Sequence, residues 1–368
     1  MKKETGVLDR IIDYENLLKA TKESSKGKRY HSEAMAFREK LCENLLRITH
    51  EMKNGTYESS RYRERFVYVP QTRLIQVSHF RDRVAQQAIY LVLKDILEKH
   101  YIHDSYACRK GKGSHEATKR VQYWLRQIHR KPDGKAYVAG KIDVAKFFYR
   151  LDHDIIMQVL SQYVDDPGFT RVIENIIRCK HTPFGLPEGK GCKDVPASDR
   201  LYGVGVPIGS LMSQTVANLV MNELDQYAKH QLKIRHYIRY MDDIIILAPD
   251  LATMHRWMEA IRTYLHDKLR LQCNRKTQVI PLSHGIPFVG RKIWATHVTM
   301  RKSTRQHMKK ALKYKAERYA QGLITQEEAM QCVVSYLGLC KHVDAQYLRE
   351  WIAENIVFTR KETSQTND

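Results

Sequence analysis

Two hydrophobic patterns meet at residues 234–247. Ile234, His236, Ile238 and Tyr240 alternate with Arg235, Tyr237 and Arg239, the period of a half-buried strand with one polar face. The run Ile244-Ile245-Ile246-Leu247 is apolar without a break and predicts a strand covered on both faces. Met241, Asp242 and Asp243 make the sharp turn between them. Another short apolar segment, from Ala136, ends at Asp143 and is followed by Phe147 and Phe148. Asp152 stands where it would N-cap a helix carrying Ile155, Ile156, Val159 and Leu160. Helical spacing recurs at Val84, Ala88, Leu91, Val92 and Ile96, at Leu211, Thr215, Leu219 and Met221 or Asn222, and at Met308, Leu312 and Tyr319. The first 60 residues read as helical and basic, with Ile11, Ile12, Leu17, Leu18, Ala34, Phe37, Leu41, Leu45 and Leu46 as their apolar positions. Residues 165–206 read as a loop-rich insertion containing Gly185-Leu-Pro-Glu-Gly189 and Asp194-Val-Pro-Ala-Ser198.

Two carboxylates beside a buried strand are costly to desolvate unless a cation or hydrogen-bond donors neutralise them. A hard cation held by oxygen ligands meets that need. An Asp-Asp pair alone is more often a solvated turn, and Asp165-Asp166, followed by Pro167-Gly168, reads as one. Asp242-Asp243 differs because Asp143, about a hundred residues earlier, offers a third acid at a strand end. Three such acids can hold two metal ions about 4 Å apart.

These segments resemble the palm of a reverse transcriptase, and the resemblance covers about residues 60–340. It implies a mixed α/β right-hand polymerase fold, with an N-terminal helical extension and fingers over 1–135, a palm over 136–293 with the insertion at 165–206, and a helical thumb over 294–368. Asp143 is similar to the first metal-binding aspartate of the family, and Asp242 and Asp243 to its second acidic motif. Asp243 would bind metal directly or only support the site. The resemblance also implies the Val144 carbonyl as a metal ligand, and two Mg²⁺ ions with Mn²⁺ as a substitute. Phe148 falls at the family's aromatic gate against a ribose 2′-hydroxyl; core packing is its plainer role. Arg73, and Arg81 in Phe80-Arg-Asp-Arg-Val-Ala-Gln-Gln87, resemble the fingers residues that hold the incoming triphosphate, for which a planar guanidinium is well suited. A cap or an ion pair with Asp82 is the alternative for Arg81 and Arg83. Lys276 matches a lysine that protonates the leaving pyrophosphate, and Gly285-Ile-Pro-Phe-Val-Gly290 the primer-grip hairpin.

The stretch Pro207-Ile-Gly-Ser-Leu-Met-Ser-Gln214 narrows the resemblance. Common reverse transcriptases carry glutamine where this chain has Ile208, before Gly209, and proline where it has Gln214. Ile-Gly-x-x-x-Ser-Gln resembles the enzymes of diversity-generating retroelements, which copy a template RNA with errors at adenines; Ser335-Tyr-Leu-Gly-Leu-Cys-Lys-His342 is similar to that group too. Template RNA, an RNA–cDNA duplex, deoxynucleoside triphosphates and a small basic accessory protein, itself an oligomer, are the implied partners. Group II intron-like, domesticated and defence-associated reverse transcriptases share the palm. A non-enzymatic RNA-binding scaffold is the reading from another class, against which the three acids stand.

Composition agrees with a nucleic-acid enzyme. There are 62 Lys plus Arg against 41 Asp plus Glu, a net charge of +21, which attracts polyanions over a long range. Residues 291–320 hold ten Lys or Arg and one acid, Glu317, so Lys309, Lys310 and Lys313 are candidate contacts to a phosphate backbone. The seven cysteines are scattered without a Cys-x-x-Cys pair, which predicts reduced thiols and no zinc site. Absence of a signal-like or membrane-length apolar run predicts a cytoplasmic protein, and the resemblance implies one encoded by a bacterium or phage.

Overall fold

The computed structural model describes residues 3–68 and 72–360. Pro70 and Gln71, close to Arg73, and Thr363–Asp368 lie outside the described residues. The architecture is mixed α/β. In chain order come helices α1 (Val7–Ile12), α2 (Tyr14–Ser24), α3 (Ser32–Glu39) and α4 (Leu41–Lys53), strands β1 (Arg63–Val67) and β2 (Arg73–Val77), and helices α5 (Phe80–Leu97) and α6 (Ser114–His129). Strand β3 (Val138–Asp143) leads to α7 (Phe147–Arg150), α8 (His153–Leu160), α9 (Pro167–Ile177) and α10 (Leu211–Gln226). Strands β4 (His236–Tyr240) and β5 (Asp243–Ala248) precede α11 (Leu251–Leu269). Then follow β6 (Gln278–Pro281), β7 (Ile286–Phe288), β8 (Arg291–Ile293) and β9 (Val298–Met300), and α12 (Lys302–Ala320), α13 (Gln326–Cys340) and α14 (Gln346–Asn355). A four-stranded sheet has the order β4-β5-β3-β6.

The chain divides into two compact units, one of Met1–Gly111, Ile142–Ile244 and His255–Thr277, the other of Lys112–Lys141, Ile245–Met254 and Gln278–Asp368. In the first, α5 is buried almost all round, with Val84, Ala88 and Ile89 fully covered, and α2 lies along it. The N-terminal helices follow their apolar spacing with one departure: Leu46 is 65% exposed, and α4 instead buries Leu45, Ile48 and Met52. Asp152 caps α8 by accepting from the Asp154 and Ile155 amides at 2.9 and 3.1 Å.

The structure corrects three expectations. Residues 165–206 are not loop throughout, because Val172, Ile173, Ile176 and Ile177 form the buried stripe of the eleven-residue α9. Asp166 is not a solvated turn residue: its carboxylate accepts from Phe169 N at 3.0 Å, capping α9, and from Leu8 N at 2.8 Å. The polar side of β4 does not face solvent either, since Tyr237 and Arg239 are both 0% exposed. A period-two pattern reports which side chains share a face, and a polar face is buried when buried partners satisfy it.

In the second unit, β3 pairs antiparallel with β6, Val138 opposite Pro281 and Lys141 opposite Gln278. Gly140 lets β3 pass closely over its neighbours, since a Cβ there would sit 2.5 Å from Met254 Sδ and 2.9 Å from Ile246 Cγ1. Gly285 and Gly290, at φ +70° and +81°, stand on either side of β7, Gly290 in its turn to the antiparallel β8. Met308 and Leu312 of α12 pack with Val333, Cys340, Leu348 and Ile352 in one apolar cluster. A Thr325–Glu328 capping box starts α13. None of the seven cysteines is in a disulfide, and no described helix is long and apolar enough to cross a membrane.

Candidate active site

Strand order puts β3 beside β5, so the strand ending at Asp143 and the strand beginning at Asp243 are neighbours. Asp242 feels both other acids: burial, then the charges of Asp143 and Asp243, push its carboxyl up to about 6, while the Arg73 guanidinium opposes the shift. Removal from water penalises the charged form, and like charges add to the penalty. A desolvated carboxylate repelled by two neighbouring acids fits a hard divalent cation. Among the described residues no three His, Cys, Asp or Glu side chains stand close enough to hold a metal ion by themselves. A cation bound here would therefore take further oxygen ligands, as Mg²⁺ does from water, carbonyls and substrate phosphates.

The turn carrying these acids is strained. Met241 has φ +60°, a left-handed conformation that costs a non-glycine residue on the order of 1–3 kcal/mol. Beneath it lies a buried polar network. Arg239, 0% exposed, donates from Nε and Nη2 to the two Asp225 carboxylate oxygens at 2.8 and 2.7 Å. Its Nη1 donates to Asn218 Oδ1 at 3.0 Å and to the Met241 carbonyl at 3.1 Å, and Nη2 also to Ser105 Oγ at 3.2 Å. Tyr237 OH donates to Asp225 at 2.7 Å, and Asn218 Nδ2 to the Ala107 carbonyl at 2.9 Å. A buried ion pair is tolerated when hydrogen bonds satisfy the groups left over, and here every guanidinium N–H has an acceptor.

On the other side of the site, residues 272–277 are zipped to the chain leaving β3. Ala145 N donates to Gln272 O at 2.7 Å and Asn274 N to Asp143 O at 2.6 Å, Asp143 N donates to Thr277 Oγ1 at 3.3 Å, and Val144 bridges Cys273. This tie holds the exposed Lys276 in a turn close in sequence to the Asp143 partners.

A family model described as reverse transcriptase (RNA-dependent DNA polymerase) matches residues 30–293, a span that includes the three acids and the Arg239 network. The chain belongs to the reverse transcriptase family. The matched model describes an RNA-dependent DNA polymerase, and the chain's fold is mixed α/β. It is 23% identical over 291 residues to Protein YkfC of Escherichia coli, covering 69% of this chain and 72% of that protein. The group II intron-encoded protein LtrA of Lactococcus lactis is 20% identical over 346 residues, 76% of this chain and 54% of LtrA. A structure of apo telomerase from Candida Tropicalis, truncated from its C-terminal domain, aligns with 66% of this chain and 55% of its own at a TM-score of 0.47 and 14% identity. The chain thus spans about half of LtrA.

The remaining positions that a reverse transcriptase would use for its nucleotide are unevenly disposed. Arg73, at the start of β2, is exposed. Arg81 is engaged internally: it pairs with Glu51, donates to Asp82 at 3.0 Å and lies 4.8 Å from the Tyr57 ring centroid. Phe148 is half-buried, edge-on to Phe147 with ring centroids 5.3 Å apart. Ile208 packs against the cluster of Leu74, Tyr149, Leu186, Cys192 and Val195, and its carbonyl accepts from Gln76 N at 3.1 Å. Gly209 is exposed at φ +104°, and Gln214 Oε1 accepts from Cys108 Sγ at 3.2 Å. Within the helical C-terminal part, Lys310 and Lys313 are exposed, whereas Lys309 sits over the Trp351 and Tyr347 rings at 4.3 and 5.1 Å.

Two groups escape the pattern-based prediction. Lys146 holds a left-handed backbone at φ +47°, and its Nζ is buried with no hydrogen-bond partner. Nothing in the sequence marks it apart from its place three residues after Asp143. Arg239 and its α10 partners do carry a signal: Asn218, Asn222 and Asp225 recur at i, i+4 and i+7, all buried, which is a polar stripe on an otherwise apolar helix.

Proposed function

We propose that this reverse transcriptase copies a template RNA into cDNA and, within its family, is the enzyme of a diversity-generating retroelement that errs at template adenines. The single observation behind the catalytic part is the raised Asp242 carboxyl among Asp143, Asp243 and Arg73. Members of the family use divalent metal ions, and two Mg²⁺, or Mn²⁺ in their place, would supply Lewis-acid activation of the primer 3′-hydroxyl and neutralise charge on the pyrophosphate.

In this reading Asp143 and Asp242 hold those ions with the Val144 carbonyl, and Asp243 binds or buttresses them. Arg73 takes phosphate oxygens of the incoming triphosphate. The orphaned Lys146 ammonium gains its counter-charge from the same anion, since an unpaired buried charge is costly until one arrives. Phe148 packs against the sugar, and Lys276 Nζ carries a proton for the leaving pyrophosphate. Arg81 supports the fingers through Glu51 and Asp82 more than it reaches substrate. Lys310 and Lys313, with Lys309 behind them, line the duplex-binding face. The fingers, palm and thumb take residues 1–135, 136–293 and 294–368. Template RNA, RNA–cDNA duplex and an oligomeric basic accessory protein are the partners, in the cytoplasm of a bacterium.

The retroelement assignment rests on Ile208, Gly209 and Gln214. An amide at 208 could add polar restraints to the forming base pair, whereas Ile208 offers packing alone, here against Leu74 and Tyr149. Similarity to the group II intron-encoded LtrA favours a second reading, an intron-like enzyme without mutagenic copying. Sequencing cDNA made on one template by wild type and Ile208→Gln separates the two. Misincorporation concentrated at adenines and reduced in the variant supports the retroelement; a flat error spectrum, equal in both, favours the intron-like enzyme. Absence of any primer extension would leave an RNA-binding scaffold.

A further inference from the structure

We propose that Arg239 is a positioning residue for the catalytic acids: its grip on the Met241 carbonyl orients the Asp242 peptide and thereby sets how tightly the site holds a divalent cation. The inference rests on the reading above, in which Asp143 and Asp242 carry the ions.

One peptide plane joins the guanidinium to the acid turn. Arg239 Nη1 holds the Met241 carbonyl at 3.1 Å. Because a trans peptide is planar, with C=O and N–H pointing opposite ways, fixing that carbonyl also fixes the direction of the Asp242 N–H. One hydrogen bond and one rigid plane therefore run from Arg239 to the peptide of Asp242. Met241 is also the residue held at φ +60°, so the turn needs an external restraint to keep this shape.

The guanidinium is itself immobile. It is fully buried, and its five N–H groups are divided among Asp225 and Asn218 of α10, Ser105, and Met241. Its backbone is pinned as well: Arg239 N donates to Asp104 O at 3.0 Å, and Arg239 O accepts from Tyr106 N at 2.9 Å. Asn218 lies one helical turn after Gln214, and Asn218 Nδ2 holds the Ala107 carbonyl next to Cys108, the Gln214 partner. The segment that faces the nucleotide in the proposed function and the turn that carries the acids thus share one anchor. Lysine could replace the charge but not the fork, since an ammonium cannot span Asp225, Asn218 and Met241 together.

Two variants of the full chain test this. Arg239→Lys keeps a cation in the pocket. The triple variant Arg239→Met, Asp225→Leu, Tyr237→Phe removes the charges together with the hydroxyl they would orphan, a replacement that buried ion networks tolerate in the fold. Each is bound to primer–template and titrated with Mn²⁺, free ion being read by electron paramagnetic resonance, and Mg²⁺ is then titrated in the extension assay. We expect Mn²⁺ affinity to fall, and the Mg²⁺ concentration for half-maximal extension to rise, by about tenfold or more, the usual range for removing a partner that orients a ligand. Cooperative melting of the triple variant and primer–template affinity should stay near wild type. A cooperatively folded triple variant with wild-type Mn²⁺ affinity and Mg²⁺ midpoint would overturn the proposal and leave Arg239 a packing residue. Wild type that neither binds Mn²⁺ nor extends a primer would instead defeat the catalytic assignment.

Discussion

Arg239 and Lys310 are cations of one chain placed in opposite physical settings. Arg239 has no contact with water and all of its donors are committed; Lys310 is exposed on α12, where basic residues far outnumber Glu317. Buried charge is worth its desolvation only when geometry is fixed, so the β4–α10 network specifies a shape. Exposed charge costs little and is screened by salt, so α12 specifies a field. Loss of the first should change what the acids can hold. Loss of the second should change how strongly a polyanion is drawn in, by an amount that depends on ionic strength.

The sharpest break of that comparison is at the acids themselves. Asp143→Asn or Asp242→Asn should lower primer extension on the order of a thousandfold or more, while binding of primer–template, measured by fluorescence anisotropy, stays near wild type. Comparable extension by either variant would remove the metal-site reading.

Asp242 also makes a pH prediction. Its carboxyl, ordinarily at 3.8, is raised to about 6 in the folded chain. The folded state therefore binds more protons than the unfolded state between about pH 4 and 6, and stability falls as pH rises through that window. In metal-free protein Asp242→Asn should be more stable than wild type at pH 8, by up to roughly 3 kcal/mol, and the gain should vanish below about pH 4. Urea melts in chelator at both pH values check the sign. Higher stability of wild type at pH 8 would mean the acid is already neutralised by protein groups.

Lys146 probes the nucleotide side. Replacing it with Met removes an ammonium that has no hydrogen-bond partner, so thermal stability should not drop. The Michaelis constant for deoxynucleotides should rise about tenfold, the worth of one charge-assisted hydrogen bond to phosphate. An unchanged constant would assign Lys146 to the fold.

The smallest effects belong to α12. Lys310→Gln with Lys313→Gln should flatten the log–log dependence of primer–template affinity on salt by about 0.7–0.9 for each phosphate that is no longer neutralised. Lys309→Gln should leave that slope alone and cost about 1 kcal/mol or less of stability, because its ammonium stands over Trp351 and Tyr347. A slope that moves with Lys309 alone would invert the contrast between fixed and exposed cations.

Much of the site is legible in the sequence. Asp143, Asp242 and Asp243 lie at ends of strands whose apolar runs are read directly from the chain, and Asp152 announces its helix through its cap. Arg239 is legible only in part, because alternation assigns it to the face opposite Ile238 and says nothing of what covers that face. Asp166 misleads for a related reason: Asp-Asp-Pro-Gly is turn chemistry, and whether the turn is solvated or caps α9 and meets Leu8 depends on what folds against it. Lys309 carries the same charge in sequence as Lys310, and aromatic rings supplied by α14, about forty residues on, separate them.

By itself the sequence determined the family, the acids and the helical or extended character of most segments, because periodicity and capping act over a few neighbouring residues. Only the tertiary structure decided which charges lost their water. Burial is set by segments distant in the chain: Asp225 and Ser105 enclose Arg239, and the Asp143 strand joins Asp242 in raising the cost of ionisation. Solvation free energy depends on that enclosure rather than on residue type, which is why one lysine keeps its water while a buried arginine is locked by hydrogen bonds beside the acid turn.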